Sequence, residues 1–126
     1  MATPNLGLVH IASAQNQKEV TANANFDGLD EAMCGNEKVS MADSDVTLTP
    51  AQACGALVFI VSGALTAARN LFLPANPKPY VISNQTTGGL DITVQTGSAG
   101  AGTFSVPADS TYKLLYSDGT NVVHLT

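Results

Sequence analysis

Apolar and polar residues change their spacing once along this chain, near residue 46. From there onward apolar positions recur with a period of two, which is typical of β-strands. Gly, Pro, Asn and Asp separate the successive runs, as turn residues do. The pattern predicts eight short strands, at residues 46–49, 56–61, 70–73, 80–83, 90–96, 103–106, 112–117 and 121–125.

This many short strands in so short a segment predicts a mainly β fold, namely a small antiparallel β-sandwich or barrel of jelly-roll-like form. The Asp118-Gly119 pair predicts a hairpin between the last two strands. Three prolines within residues 73–79 predict a loop or a sheet edge. The "GSAGAG" stretch at 97–102 predicts a mobile loop, with close backbone approach around a symmetry axis as the alternative.

The first 19 residues have no sustained periodicity, and Pro4 and Gly7 interrupt regular structure early. They predict an extended arm, whose exposed backbone and Gln and Asn side chains pair with a neighbouring subunit or surface. The chain is therefore divided into an attachment or oligomerisation region at 1–45, formed by this arm and one short helix, and an antiparallel β domain at 46–126.

The short helix follows the arm, with Thr21 as the predicted N-cap and Gly35 or Asn36 as the predicted stop. A helix of about 12 residues with a single apolar stripe is marginally stable alone. We therefore expect the stripe to dock on another surface. Its residues recur at helical spacing: Ala22, Phe26, Leu29 and Met33.

The net charge of the protein lies entirely in the first region. The 126 residues carry a formal charge of −5; residues 1–45 hold seven acidic and two basic residues, and residues 46–126 hold three of each. Scattered basic residues predict no nucleic-acid partner. The longest apolar run, at 56–61, is too short to span a membrane, and the N-terminus does not resemble a signal peptide. Synthesis in a cytoplasm and no membrane partner are expected.

Few residues suit catalysis or metal binding. His10 and His124 are isolated, so each is expected to pack rather than act as a base or ligand. Asp43 and Asp45 lack the further ligands of a calcium loop and predict a solvated acidic linker rather than a weak Ca²⁺ site. We expect no enzymatic activity, no cofactor and no metal, and this favours a structural or binding role.

The two cysteines, Cys34 and Cys54, lie twenty residues apart without a CxxC motif. Two buried or partly buried thiols are expected in preference to a disulfide.

The segment Thr3–Met33, "TPNLGLVHIASAQNQKEVTANANFDGLDEAM", resembles the short N-terminal module of bacteriophage and gene-transfer-agent fibre-like proteins. The family usually has Pro-Tyr where this chain has Val9 and His10, and Ala-Leu where it has Asn25 and Phe26. The matching positions are Thr3, Pro4, Leu6, Gly7, Leu8, Ile11, Ala12, Gln15, Gln17, Lys18, Glu19, Val20, Thr21, Asn23, Leu29 and Asp30.

Much of the remainder resembles the small β-modules of phage tail fibres, head fibres and virion decorations, through its "LP", "NQTTG", "VQT" and "DGTNV" stretches in that order. Together the two resemblances imply a virion structural protein. Such a protein is typically a homotrimer that is attached by its N-terminal part and projects its β part outward.

Within that class we expect a capsid decoration protein, of the cement or head-fibre kind, on the outer surface of the particle after assembly in the host cytoplasm. The major capsid protein would be its partner, because the chain ends at Thr126 without a long shaft. The alternative is a tail component, such as a short tail fibre, an adaptor or a tailspike base, bound to tail proteins. The expected interaction residues are Leu6, Leu8, Ile11, Gln15, Gln17, Val20, Phe26, Leu29 and Met33.

A third hypothesis is a host-surface carbohydrate-binding module. Tyr80, Tyr112 and Tyr116 would stack on sugar rings if they were exposed on one concave patch.

Overall fold

The structure is a computed structural model that describes residues 2–125. With 35% strand and 18% helix, the fold is mainly β, as predicted. Its helices are α1 (Lys18–Cys34) and α2 (Pro50–Cys54). Its strands are β1 (Asn36–Ser40), β2 (Val46–Thr47), β3 (Val58–Ser62), β4 (Arg69–Phe72), β5 (Lys78–Asn84), β6 (Ile92–Gln95), β7 (Phe104–Val106), β8 (Tyr112–Ser117) and β9 (Val122–His124).

Two sheets enclose one hydrophobic core. The five-stranded sheet has the order β1-β3-β5-β8-β9, and the four-stranded sheet has the order β2-β4-β6-β7. Over residues 2–125 each sheet keeps two open edges rather than closing into a barrel. All eight predicted strands are present, and β1 is an additional strand that the sequence pattern did not predict.

The prediction of purely antiparallel pairing is wrong. From β1 to β6 the chain alternates between the two sheets, so that β1, β3 and β5 are parallel neighbours, as are β2, β4 and β6. Each excursion to the opposite sheet supplies the long crossover that a parallel pair requires. Only the pairs β5–β8, β6–β7 and β8–β9 are antiparallel.

This path winds the chain into three coils, as in a β-solenoid. Paired residues in consecutive coils lie 22 or 23 positions apart in the five-stranded sheet and 25 or 23 in the four-stranded sheet. Equivalent side chains therefore stack inside the molecule: Phe59 pairs with Ile82, and Leu71 pairs with Val94. All four are fully buried in the common core.

Polar side chains join the same coils at their edges. Asp45 accepts hydrogen bonds from the backbone and side chain of Asn70, and Asn70 in turn accepts one from Gln95, so three successive coils are linked. Asp43 accepts bonds from Thr66 and Arg69 of the next coil, with 2.9 Å between Arg69 Nη2 and Asp43 Oδ1. The predicted acidic linker lies at the surface, with Asp45 exposed and Asp43 half-buried, but both carboxylates also bond to residues 23 to 26 positions ahead.

These bonds also change the acidity of both carboxyl groups. The hydroxyl and backbone N–H of Thr66, followed by Arg69, hold the pKa of Asp43 at about 2. The backbone and then the side chain of Asn70 lower the pKa of Asp45.

One lysine side chain lies in the core, and within the described residues no carboxylate forms an ion pair with it. Lys78 Nζ donates to the carbonyl oxygens of Ala56 at 2.7 Å and Pro79 at 3.1 Å, and lies 4.5 Å from the ring centre of Tyr80. Burial disfavours the ammonium form and lowers the pKa of Lys78 to about 8.

Stability should therefore rise between pH 8 and the ordinary lysine pKa of 10.5. In that window the unfolded chain binds more protons at Lys78 than the folded chain does, whereas below pH 8 both states hold the proton and the cost is constant. The check is urea unfolding of the wild type and of Lys78→Met at several pH values. As pH rises across this window, the free energy of unfolding of the wild type should increase relative to that of the variant. A difference between the two that stays constant with pH would contradict the prediction.

Candidate attachment surface

The N-terminal arm is folded back on itself, so the predicted extended arm is wrong. Thr3 N–H donates to the carbonyl of Leu8 at 2.7 Å, Gly7 N–H donates to the carbonyl of Thr3 at 3.1 Å, and the Thr3 hydroxyl accepts from Leu8 N–H. Ala2 and Val9 form an isolated antiparallel bridge. These local bonds pair several backbone groups of residues 2–9, so this part of the arm needs no neighbour to pair them.

Helix α1 is longer than predicted because it begins four residues earlier, with Gln17 rather than Thr21 at the N-cap position. It spans 17 residues from Lys18, and Gln17 precedes it in the left-handed conformation without a side-chain cap. Thr21, the predicted N-cap, lies inside the helix, where its hydroxyl accepts from Gln15 Nε2 at 2.6 Å. The predicted end at Gly35 is confirmed, since Gly35 N–H donates to the carbonyl of Glu31. A side chain at Gly35 would come within 2.6 Å of that carbonyl oxygen, so this position favours glycine.

One face of α1 is covered by the rest of the chain. Asn25 exchanges two hydrogen bonds with the backbone of Val9, at 3.1 and 2.6 Å. A Cβ on Gly28 would lie 2.9 Å from Leu8 Cδ2, so the arm approaches the helix closely there. Ala32 is buried near the end of the helix. The covered face consists of Thr21, Asn25, Gly28 and Ala32.

The predicted apolar stripe lies one position further along the helix, about 100° around its axis from the covered face. We call Ala22, Phe26, Leu29 and Met33 the open stripe. Phe26 is 67% exposed, Met33 66% and Leu29 38%. Within the described chain these large side chains stay largely in contact with solvent, and the small and polar face docks instead.

No family model, no curated protein and no solved structure matches this chain. The geometry of its own residues therefore carries the description of the surface.

The nine expected interaction residues fall into two groups. Leu6, Leu8 and Gln15 are half-buried, and Leu8 and Gln15 contact the helix. The other six are exposed, and they are Ile11, Gln17, Val20, Phe26, Leu29 and Met33. Gln15 and Asn25 both bond within the chain, and the pairing of Gln and Asn side chains with a neighbour stays a prediction.

The remaining candidate residues are separated in the fold. His10 is exposed, and His124 stacks on Phe104 with 4.5 Å between ring centres. Cys34 and Cys54 are free; Cys54 is half-buried, as expected, but Cys34 is exposed. Residues 2–125 contain no pocket and no group of three His, Cys, Asp or Glu placed to hold a metal ion.

Neither helix of the described chain has the length and apolar character needed to cross a bilayer.

The carbohydrate hypothesis loses one of its three residues. Tyr80 is fully buried, with its ring centre 5.6 Å from that of Phe59, so it does not face solvent. Tyr112 is 57% exposed and Tyr116 is half-buried on the same strand.

Proposed function

We propose that this protein is a bacteriophage virion structural protein, a homotrimeric decoration of the capsid that binds the shell through residues 1–34. The resemblance of Thr3–Met33 to phage fibre-like N-terminal modules supports the class of protein. The observation that carries the attachment role is the open stripe, because a helix already docked on one face presents Phe26 and Met33 to solvent on the next.

The chemistry around the open stripe defines the shell surface that would fit it. Burying a side chain such as Phe26 or Met33 contributes about 1.5–3 kcal/mol. Asp27, Asp30 and Glu31 are exposed on the same helix, and the flanking charge would be met by basic groups on the partner. The fitting surface is therefore an apolar groove with a basic rim.

Three linked copies would strengthen attachment further. Once one module of a trimer is bound, the other two bind at a raised effective concentration. A modest contact by each helix then suffices for stable decoration, and the β bodies project outward. The tail alternative uses the same contact with a different partner.

Attachment is tested by adding recombinant protein to particles of the encoding phage that lack it. A Phe26→Ser and Met33→Ser double variant should lose nearly all co-sedimentation with particles, because its helix no longer has apolar area to bury. Both side chains are exposed in the free protein, so its melting temperature should stay close to that of the wild type.

Ala24→Ser, at an exposed position on another side of α1, is the matched control and should bind normally. Normal attachment of the double variant would refute the proposal. Counting copies per particle distinguishes the two locations, since a shell accommodates hundreds of copies and a tail far fewer.

A further inference from the structure

The large apolar side chains that the described chain exposes fall into two separate groups. Six belong to residues 9–33, in the arm and α1. The other four lie at the C-terminal end of the chain: Tyr112 is 57% exposed, Leu114 39%, Val123 47% and Leu125 44%. Three residues of the first group belong to the open stripe of the proposed attachment surface, and the second group has no part in that proposal.

The second group lies on one side of the five-stranded sheet. In the β8–β9 pair Tyr116 is opposite Val123, and Leu125 N–H donates to the carbonyl of Leu114 at 2.8 Å. Leu115, between Leu114 and Tyr116, points into the core and is fully buried. Because side chains alternate along a strand, Tyr112, Leu114 and Tyr116 share the outer side.

The same side continues across the neighbouring strands through half-buried residues. Leu114 is opposite Val81, which is opposite Val58, and Ile60 follows two positions later on β3. We call this surface the outer apolar face. Its residues are Val58, Ile60, Val81, Tyr112, Leu114, Tyr116, Val123 and Leu125.

The opposite outer surface of the molecule has a different composition. On the four-stranded sheet the outward positions are mainly polar, with Phe72 as a half-buried exception. The polar ones are Thr47, Asn70, Thr93, Gln95 and Ser105. A sheet with one solvated face normally shows this polar pattern, so the apolar composition of the other face indicates that another surface covers it.

Charge indicates what that surface is. On β3, β5, β8 and β9 the outward positions carry no Asp, Glu, Lys, Arg or His in the described residues, and a charged residue, Lys38, borders them on β1 opposite Ile60. Around a symmetry axis each group approaches the same group of another copy, so a neutral surface associates with itself without repulsion. The N-terminal region, with seven acidic and two basic residues in 1–45, would repel its own copies there.

We propose that the outer apolar face is the self-association surface of this protein and binds further copies of the same chain. The number of copies, three, rests on the proposed function, but the identity of the surface does not. The face is centred on β8 and β9, whereas α1 leads directly into β1 at the opposite edge of the sheet. Copies would thus associate through one end of the sheet, leaving the acidic module at the other end free to bind the particle.

The test is the molar mass in solution, measured by light scattering at micromolar concentration. The wild type should have three times the 12.9 kDa mass of one chain. Leu114→Glu and Val123→Glu should each weaken association at least about 100-fold and give the single-chain mass, because they bring like charges together in an apolar contact. Ser105→Glu, exposed on the outer side of the four-stranded sheet, is the control and should keep the wild-type mass.

Three results would overturn the inference: a monomeric wild type, an unchanged mass for both Glu variants, or loss of association in Ser105→Glu as well. A monomeric wild type that binds glycans through Tyr112, with binding lost in Tyr112→Ala, would assign the face to carbohydrate instead. Circular dichroism melting of each variant establishes that it is folded, since all four positions are exposed.

The Phe26→Ser and Met33→Ser variant separates this inference from the proposed function. It should retain the mass of the wild type while failing to attach to particles. If the wild type associates but does not attach to particles, the attachment role alone is refuted. If the helix variant loses association while Leu114→Glu still associates, the sheet surface alone is refuted.

Discussion

Replacing Gly63 by alanine is expected to lower the free energy of unfolding by about 3–5 kcal/mol, a large share of the stability of a domain of this size. Gly63 has φ of +130°, and an added Cβ would lie 2.2 Å from the carbonyl oxygen of Met41 in the preceding coil. The clash is with backbone, so the main chain of one of the two coils must shift to relieve it. Urea denaturation followed by circular dichroism measures the loss.

Gly89→Ala is the matched control. Gly89 also has a positive φ, +69°, but an added Cβ there meets no atom within 4 Å. Only the left-handed backbone cost of about 1–2 kcal/mol should remain. Similar losses in the two variants would show that the coils are not packed as closely as the structure has them at Met41 and Gly63.

The second large effect is expected for Asn84→Leu, with a loss of about 3–5 kcal/mol. Asn84 is fully buried, and its Nδ2 donates to the carbonyls of Leu90 and Val106, each at 3.0 Å. Its Oδ1 accepts from the N–H and hydroxyl of Thr86. Leucine has a similar size but leaves these groups without partners in the core.

Asn36→Leu provides the comparison, because Asn36 is exposed on the edge strand β1. Its effect should stay within about 0.5 kcal/mol. Thermal melting of both variants gives the comparison directly. If Asn84→Leu were as stable as Asn36→Leu, the side chain of Asn84 would have no role in joining β5 to the loop before β6 and to the end of β7.

The strands were predictable because a period of two in the apolar positions shows which side chains face the core. This pattern is a local property of each segment. Every predicted strand has a counterpart, and Asp118-Gly119 forms the turn of the β8–β9 hairpin, as predicted. Strand partners were not predictable in the same way. Parallel pairing depends on equivalences 22 to 25 residues apart, and stacked residues such as Glu37, Phe59 and Ile82 differ too much to reveal them.

The apolar stripe of α1 was predictable in its residues but not in its exposure to solvent. Hydropathy identifies the open stripe because Phe26, Leu29 and Met33 are large and apolar. It gives no sign that Asn25, Gly28 and Ala32 form the face that docks. The close approach of the arm depends on the small size of Gly28 and on the hydrogen bonds of the Asn25 side-chain amide. The sequence signal that was available is the presence of Gly inside a helix, which often marks a close contact.

The winding of the first six strands also makes the molecule extensible. Each coil of 22 to 25 residues pairs with the next in the same direction, so a duplicated coil would add one strand to each sheet without changing the ends. Each added strand would move the helix and the β8–β9 hairpin apart by about 4.8 Å. The stack of coils is thus a spacer whose height is set by the number of coils. Proteins of this fold that hold their two ends at different distances need differ only in that number.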